Sequence, residues 1–150
     1  MGHSFVSGYM HYVFSTKERR NLIALDLRER LWAYMGGIAR ENSMKALSVG
    51  GTDNHAHLLV SLPSTITIAK AIQHIKAGSS KWVSETHPLC RDFEWQEGYG
   101  AFSVNQSLLQ TTVEYIENQQ SHHQRTTFEE EFIAFLEKHG IAYDPRYVFD

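Results

Sequence analysis

The segment Gly51-Thr52-Asp53-Asn54-His55-Ala56-His57-Leu58-Leu59-Val60 decides how the chain is organised, because it joins a polar stretch to an apolar run. Glycine and Asx residues accept unusual backbone angles, so residues 50–54 predict a turn. The run from His55 to Leu62, which is followed by Pro63, predicts a buried strand. The chain is therefore expected to place a central strand directly after this turn.

Two histidines stand at the entrance of this strand with one small residue between them. Side chains two positions apart on a strand point to the same face, so His55 and His57 are expected side by side, with Ala56 in the opposite layer. Two aligned imidazoles are potential metal ligands. The pair alone is equally compatible with a structural role, in which the rings bond to backbone and solvent.

Composition indicates one cytoplasmic globular domain. The 150 residues suffice for a sizeable core, and 42% of them are hydrophobic. The single cysteine, Cys90, excludes an internal disulfide and fits a reducing compartment. No apolar run approaches the ~20 residues of a membrane span, and the N-terminus lacks the features of a signal peptide. The net charge of -3 argues against a general duplex-coating protein. Basic residues are nevertheless clustered along the chain, so the net charge alone does not decide whether the protein binds nucleic acid.

Hydrophobic periodicity predicts an α+β fold. The expected elements are a strand at Tyr9–Ser15, a helix capped by Asp26 and ending near Glu41, a strand at Met44–Val49, the strand His55–Leu62, a helix capped by Thr65 or Thr67, a strand at Tyr99–Val104, a helix capped by Asn105 or Ser107, and a helix at Thr127–His139. This order corresponds to the ferredoxin-like split βαβ arrangement with an antiparallel sheet, in which the first and third strands are central. C-terminal helices would follow the sheet.

The helix after the fourth strand carries the side chains that could meet the histidine pair. Tyr115 and Gln119 are four residues apart and project from one helical face. The amide oxygen of Gln119 is a competent third ligand for a hard cation, and Tyr115 could act as a nucleophile once deprotonated. His122 and His123, just beyond, are expected to interact favourably with the end of this helix.

These residues resemble a known family. The segment Asp53–Leu59, with Tyr115-Ile116-Glu117-Asn118-Gln119 later in the chain, resembles the HUH single-tyrosine transposases of small bacterial insertion sequences and the related REP-associated tyrosine transposases. Further matches are Val13–Lys17, Ile75–Lys81 and Trp95–Tyr99. The resemblance covers about residues 9–122, the core of a single domain of residues 1–150, and leaves an extension of about residues 126–150.

The resemblance implies a chemistry and a set of roles. His55, His57 and Gln119 would bind a divalent metal, Mg²⁺ or Mn²⁺, and Tyr115 would be the nucleophile. The family cleaves and rejoins single-stranded DNA beside hairpins through a 5′-phosphotyrosine. Its members are homodimers whose tyrosine helix can complete the histidine site of the partner subunit.

Basic and hydroxyl side chains supply an expected DNA-binding surface. Its members are Lys17, Arg19, Lys76, Ser79, Ser80 and Lys81. Phosphate contacts of this kind would position the strand.

Two alternatives stay open at this point. The chain could be a domesticated nuclease that acts on genomic hairpins, or a ferredoxin-like nucleic-acid-binding module without chemistry.

Overall fold

The computed structural model describes residues 2–150 and contains one four-stranded antiparallel sheet. The strands are β1 (Tyr9–Ser15), β2 (Lys45–Gly51), β3 (His55–Ser61) and β4 (Gly100–Val104). Their order across the sheet is β2-β3-β1-β4, so β1 and β3 form the central pair. The predicted α+β fold and its central strands are confirmed.

Within residues 2–150, five α-helices and three short 3₁₀ turns accompany the sheet. The helices are α1 (Leu25–Glu41), α2 (Ile68–Thr86), α3 (Leu109–Glu117), α4 (Gln119–His122) and α5 (Phe128–Lys138). The 3₁₀ turns are Lys17–Arg19, Pro88–Cys90 and Gln106–Leu108. Among residues 2–150, no helix combines the length and the apolar content that a bilayer span requires.

Alternating residues of the central strands build two different faces. Ala56, Leu58 and Val60 of β3 join Met10, Tyr12 and Phe14 of β1 in a cluster beneath α1 and α2, which we call the apolar face. His55, His57 and Leu59 point the other way with His11 and Val13, and we call this side the histidine face. The period of two along a strand is sufficient to separate the faces, and Ala56 lies in the opposite layer as predicted.

The C-terminal extension covers the histidine face. Phe128, Phe132 and Leu136 of α5 pack with Val13 and Phe102 of the sheet in a second apolar cluster. The helix starts with a capping box, because the Thr127 hydroxyl accepts from the Glu130 amide and the Glu130 carboxylate accepts from the Thr127 amide. The apolar residues Phe128, Phe132 and Leu136 of this helix are buried against the sheet.

The predicted helix caps are partly correct. Thr67 caps α2 by accepting a hydrogen bond from the amide of Lys70, and Asn105 caps the turn before α3. Asp26 is not a cap. Helix α1 begins at Leu25 after Ala24, and Asp26 lies in its first turn.

Candidate metal and tyrosine site

Strand β3 fixes the histidine pair under the C-terminal extension. His55 and His57 have no exposed surface, and their ring centroids are 5.1 Å apart. At the start of the hairpin, Gly51 has a φ of 155°, and a Cβ there would lie 2.1 Å from the His55 carbonyl oxygen. Only glycine accommodates this approach, so the turn before the strand contributes directly to the position of His55.

The edge strand β2 brings the tyrosine helix to the pair. A Cβ on Gly50 would lie 2.9 Å from the backbone carbonyl oxygen of Ile116, so the absence of a side chain lets α3 dock closely. Ile116 is buried in this contact. The neighbouring Tyr115 then faces the histidines, with its ring centroid 5.7 Å from that of His57.

Gln119 also reaches the pair, although the helix is broken before it. Helix α3 ends at Glu117, and Gln119 opens the short α4. Its Oε1 lies 3.0 Å from Nε2 of His55, while its amide group donates to the Tyr115 carbonyl and to Glu131 Oε2. The four residues predicted to form the site therefore come together within one chain.

The His55 ring can adopt two hydrogen-bonding states. Its Nδ1 lies 2.9 Å from both Asn54 Oδ1 and the Thr52 hydroxyl oxygen, and its Nε2 lies 3.0 Å from Gln119 Oε1. Burial and then His57 lower the pKa of His55 to about 3, so the ring is neutral and carries one N–H. If Thr52 donates to Nδ1, then Nε2 donates to Gln119; if Nδ1 donates to Asn54, the lone pair of Nε2 faces the Gln119 oxygen. In the second state a cation could bind between Nε2 and the Gln119 oxygen.

A second imidazole orients His57. Nε2 of His11 lies 2.8 Å from Nδ1 of His57, and both rings are buried. If Nε2 of His57 binds a metal, its Nδ1 carries the proton and donates it to His11, which fixes the ring. Burial and then His57 lower the pKa of His11, which keeps that ring neutral and able to accept.

Glu131 is a central member of the site that the sequence analysis missed. Its Oε1 lies 2.9 Å from Nε2 of His57 and 3.5 Å from Nε2 of His55. Its Oε2 accepts a hydrogen bond from the Tyr115 hydroxyl. The available signal was its position three residues after Phe128 and four before Phe135, where the apolar stripe of α5 contains a carboxylate instead.

His123 also faces this cluster, in contrast to its expected role at a helix end. Its Nε2 lies 3.1 Å from Glu131 Oε1, yet this buried nitrogen has no hydrogen-bond partner among residues 2–150. One donor atom each from His55, His57, His123 and Glu131 lie within 4.8 Å of one another. His122 lies more to the outside, with Nε2 3.3 Å from the Tyr115 oxygen.

The charges of this cluster depend on its burial. Burial alone would raise the pKa of Glu131, but the imidazoles of His123 and His57 and the Tyr115 hydroxyl outweigh it and hold that pKa well below its ordinary value. Burial and the Glu131 carboxylate raise the pKa of Tyr115. The protein alone therefore presents an anion next to a neutral phenol.

The donor set fits a divalent cation. Adjacent ligands of a six-coordinate ion with bonds of about 2.1 Å are about 3.0 Å apart. The separations in this cluster are similar, at 3.0 Å from His55 to Gln119 and 2.9 Å from His57 to Glu131. Imidazole, amide and carboxylate donors suit Mn²⁺ and related ions, and the buried anion requires a compensating charge.

Tyr115 borders a cavity of about 240 Å³ that opens to the surface. His122, Glu131, Phe135 and Lys138 also line it. The phenol is half-buried, whereas the histidine pair is sealed. A ligand would thus approach the tyrosine first.

Part of the predicted DNA-binding surface is internal. Ser79 is fully buried; its hydroxyl donates to the Ile75 carbonyl and accepts from the Trp95 indole. Lys76 is half-buried, and its ammonium donates to three backbone carbonyls of residues 96–98. The prediction of DNA contact is wrong for Ser79, because a buried hydroxyl cannot reach a phosphate, and Lys76 holds the loop instead.

The other predicted basic residues lie nearer the surface. Lys81 is exposed, Lys17 forms an exposed ion pair with Glu94, and Arg19 lies over the ring of Phe149. The Ser80 hydroxyl is half-buried and donates to the Phe93 carbonyl.

Comparisons with known proteins show the family and the fold of the chain. Residues 4–119 match the family model described as "Transposase IS200 like". The structure is similar to that of a protein assigned as a transposase from Deinococcus radiodurans R1, with a TM-score of 0.65 and 20% identity over 79% of this chain and 96% of that one. It is also similar to a REP-associated tyrosine transposase bound to a REP hairpin, with a TM-score of 0.60 and 14% identity over 82% of this chain and 73% of that one. Among curated proteins, no sequence matches the chain significantly.

Proposed function

Because the chain belongs to the IS200-like transposase family, we propose that it cleaves and rejoins single-stranded DNA beside hairpins through a covalent 5′-phosphotyrosine. The observation that carries the proposal is the meeting of Tyr115 with the donors of His55, His57 and Gln119. A nucleophile beside a metal-type donor set provides the parts that phosphodiester transfer requires.

The proposed reaction exchanges one phosphoester bond for another. The Tyr115 hydroxyl releases its proton to solvent, and its oxygen attacks phosphorus and forms a new P–O bond. The bond from phosphorus to the 3′ oxygen breaks, and that oxygen takes up one proton from solvent and leaves as a hydroxyl, so the net proton count does not change. Attack by a 3′-hydroxyl on the phosphotyrosine reverses the exchange. Since one phosphoester replaces another, no nucleotide cofactor is needed to rejoin the strand.

His55, His57 and Gln119 would hold the divalent cation, Mg²⁺ or Mn²⁺. When bound, such an ion polarises the phosphoryl oxygens and offsets the charge that develops during transfer. The raised pKa of Tyr115 supports a role for the cation, because burial and then the anionic Glu131 both oppose ionisation of the phenol.

Hairpin DNA is the proposed substrate. The similar REP-associated transposase was solved with a REP hairpin, and the cavity beside Tyr115 offers a path for a phosphodiester. Lys17, Arg19 and Lys81 would contact the backbone of the strand.

The test is incubation of the protein with labelled single strands that carry a hairpin, with Mn²⁺ or Mg²⁺, followed by denaturing gel electrophoresis. We expect a protein–DNA adduct that Tyr115→Phe abolishes, because phenylalanine has no nucleophilic oxygen. Tyr147→Phe, at an exposed tyrosine, should leave the adduct unchanged. An adduct that persists in Tyr115→Phe would assign the nucleophile to another residue. Binding without any adduct would favour a module without chemistry.

The homodimer with shared active sites remains a prediction, and so does the cytoplasmic location. Tyr115 and Gln119 already meet the histidines of their own chain, which supports a site completed within one subunit. Mixing Tyr115→Phe with His57→Ala protein separates the two arrangements. Restored cleavage would indicate a shared site, and continued inactivity would indicate separate ones.

A further inference from the structure

We propose that Glu131, in the C-terminal extension, and His123, at the end of α4, are two further ligands of the metal site. This inference rests on the proposed function, because it concerns the same cation. It assigns part of the site to residues beyond 119, where the match to the family model ends. The extension would then be a component of the site as well as its cover.

The position of Glu131 supports ligation more strongly than a packing role. The residue occupies an otherwise apolar stripe of α5 and is 3% exposed. Burial of a carboxylate costs several kcal/mol unless a charge compensates it. No lysine or arginine pairs with Glu131 among residues 2–150; its contacts are imidazoles, the Tyr115 hydroxyl and the Gln119 amide. A divalent cation would place a full positive charge next to this carboxylate.

The two oxygens of Glu131 have different surroundings. Oε1 faces His55, His57 and His123 at 3.5, 2.9 and 3.1 Å, which places it among the other donors. Oε2 faces Tyr115 and the Gln119 amide. One carboxylate can therefore complete the metal site with Oε1 and keep the Tyr115 oxygen beside it with Oε2.

His123 adds an independent observation. Its Nε2 is buried and unpartnered within the described residues, although the Glu131 oxygen is 3.1 Å away. This nitrogen belongs to the group of four donor atoms that lie within 4.8 Å of one another, which is a spacing that ligands of one cation can have. His123 follows α4, so the short helix that carries Gln119 also delivers this ring.

The experiment measures Mn²⁺ binding to the metal-free full-length chain by the electron paramagnetic resonance signal of free Mn²⁺. We expect Glu131→Gln and His123→Gln each to weaken binding at least tenfold, since the first removes the negative charge of a ligand oxygen and the second removes an imidazole nitrogen. Glu129→Gln is the matched control, because this surface carboxylate on the same helix faces Arg19, and its affinity should stay within twofold of the parent. Circular dichroism checks that each variant is folded.

A spectroscopic arm separates ligation from structural support. Nitrogen modulation of the bound Mn²⁺ echo should indicate three imidazoles in the parent, from His55, His57 and His123, and two in His123→Gln. A merely structural role would leave the count unchanged. If Glu131→Gln does not fold, the His123→Gln affinity and nitrogen count decide the proposal.

The outcomes distinguish this inference from the proposed function. If His57→Ala loses Mn²⁺ while Glu131→Gln and His123→Gln bind it like the parent, neither Glu131 nor His123 is a ligand and the proposed function stands. If His57→Ala also binds normally, or the parent binds no Mn²⁺, the metal site itself is refuted.

Discussion

The two faces of the sheet are made from neighbouring residues of the same strands, yet they are built on different principles. The apolar face buries side chains such as Leu58 and Ile75, whose burial contributes about 1.5–3 kcal/mol each to folding. The histidine face buries imidazoles, a carboxylate and a phenol, whose desolvation opposes folding. The apolar face therefore stabilises the domain, and the histidine face retains polar groups that a stability-driven core would exclude.

The largest expected effect falls on the apolar face. Leu58 is fully buried, so Leu58→Ala should lower the free energy of unfolding by about 2–5 kcal/mol through lost burial and a residual cavity. Urea denaturation followed by circular dichroism measures this change. Leu108→Ala, at a half-exposed leucine, should stay within about 0.5 kcal/mol. Equal losses at both positions would contradict the division between the faces.

The sequence was most informative where structure depends on local geometry. Periodicity placed the strands and long helices within a few residues, and the i, i+2 spacing put His55 and His57 on one face. Asp26 lies only two residues after Ala24, the residue before α1, so the predicted start of this helix is nearly correct. The helix has no side-chain cap, and the neighbouring Ile23 is already buried. Tyr115 and Gln119 came from helical spacing together with the family resemblance.

The sequence was less informative where tertiary docking decides. Glu131 reaches the histidines only because α5 folds back over the sheet, and no local spacing connects it with His57. Ser79 and Lys76 looked like a DNA-binding patch, but Trp95 and the loop carbonyls use their polar groups internally. Composition does not distinguish a polar group facing solvent from one satisfied inside the fold.

The next largest effect should arise where the edge of the sheet holds the tyrosine helix. Gly50→Ala would place a methyl group 2.9 Å from the Ile116 carbonyl oxygen and push α3 outward. A displacement of about 1 Å at a reacting group can cost about 10²-fold in rate, so adduct formation should fall by that order. Single-turnover adduct formation measures the rate.

The control for Gly50 is another glycine with room for a side chain. A Cβ on Gly37 of α1 meets nothing closer than an Arg40 nitrogen at 3.9 Å, so Gly37→Ala should leave the rate unchanged. An unchanged rate in Gly50→Ala would show that the position of Tyr115 does not depend on contact with β2.

The smallest expected effect is on the pH dependence of stability. Acid should destabilise the fold through the buried rings of the histidine face, whereas the apolar face takes up no protons. The lowered pKa values of His11 and His55 keep both rings neutral in the folded protein, while the unfolded chain takes up protons near pH 6.5. Their contribution to stability is therefore complete above about pH 6.5 and is lost as the pH falls toward the folded-state values. The loss is about 1.4 kcal/mol per pH unit for each histidine.

This slope is measurable by urea denaturation in chelator between pH 6.5 and 5, a range that lies above the ordinary titration of Glu131. His11→Gln keeps a hydrogen-bonding side chain beside His57 but cannot titrate. The slope of its stability against pH should therefore be smaller by the contribution of one proton, about 1.4 kcal/mol per pH unit. Leu58→Ala should be less stable at every pH with the parent's slope, because an apolar side chain takes up no proton. Equal slopes in His11→Gln and the parent would mean that His11 binds its proton in the folded state too, and the neutral acceptor assigned to it beside His57 would then be wrong.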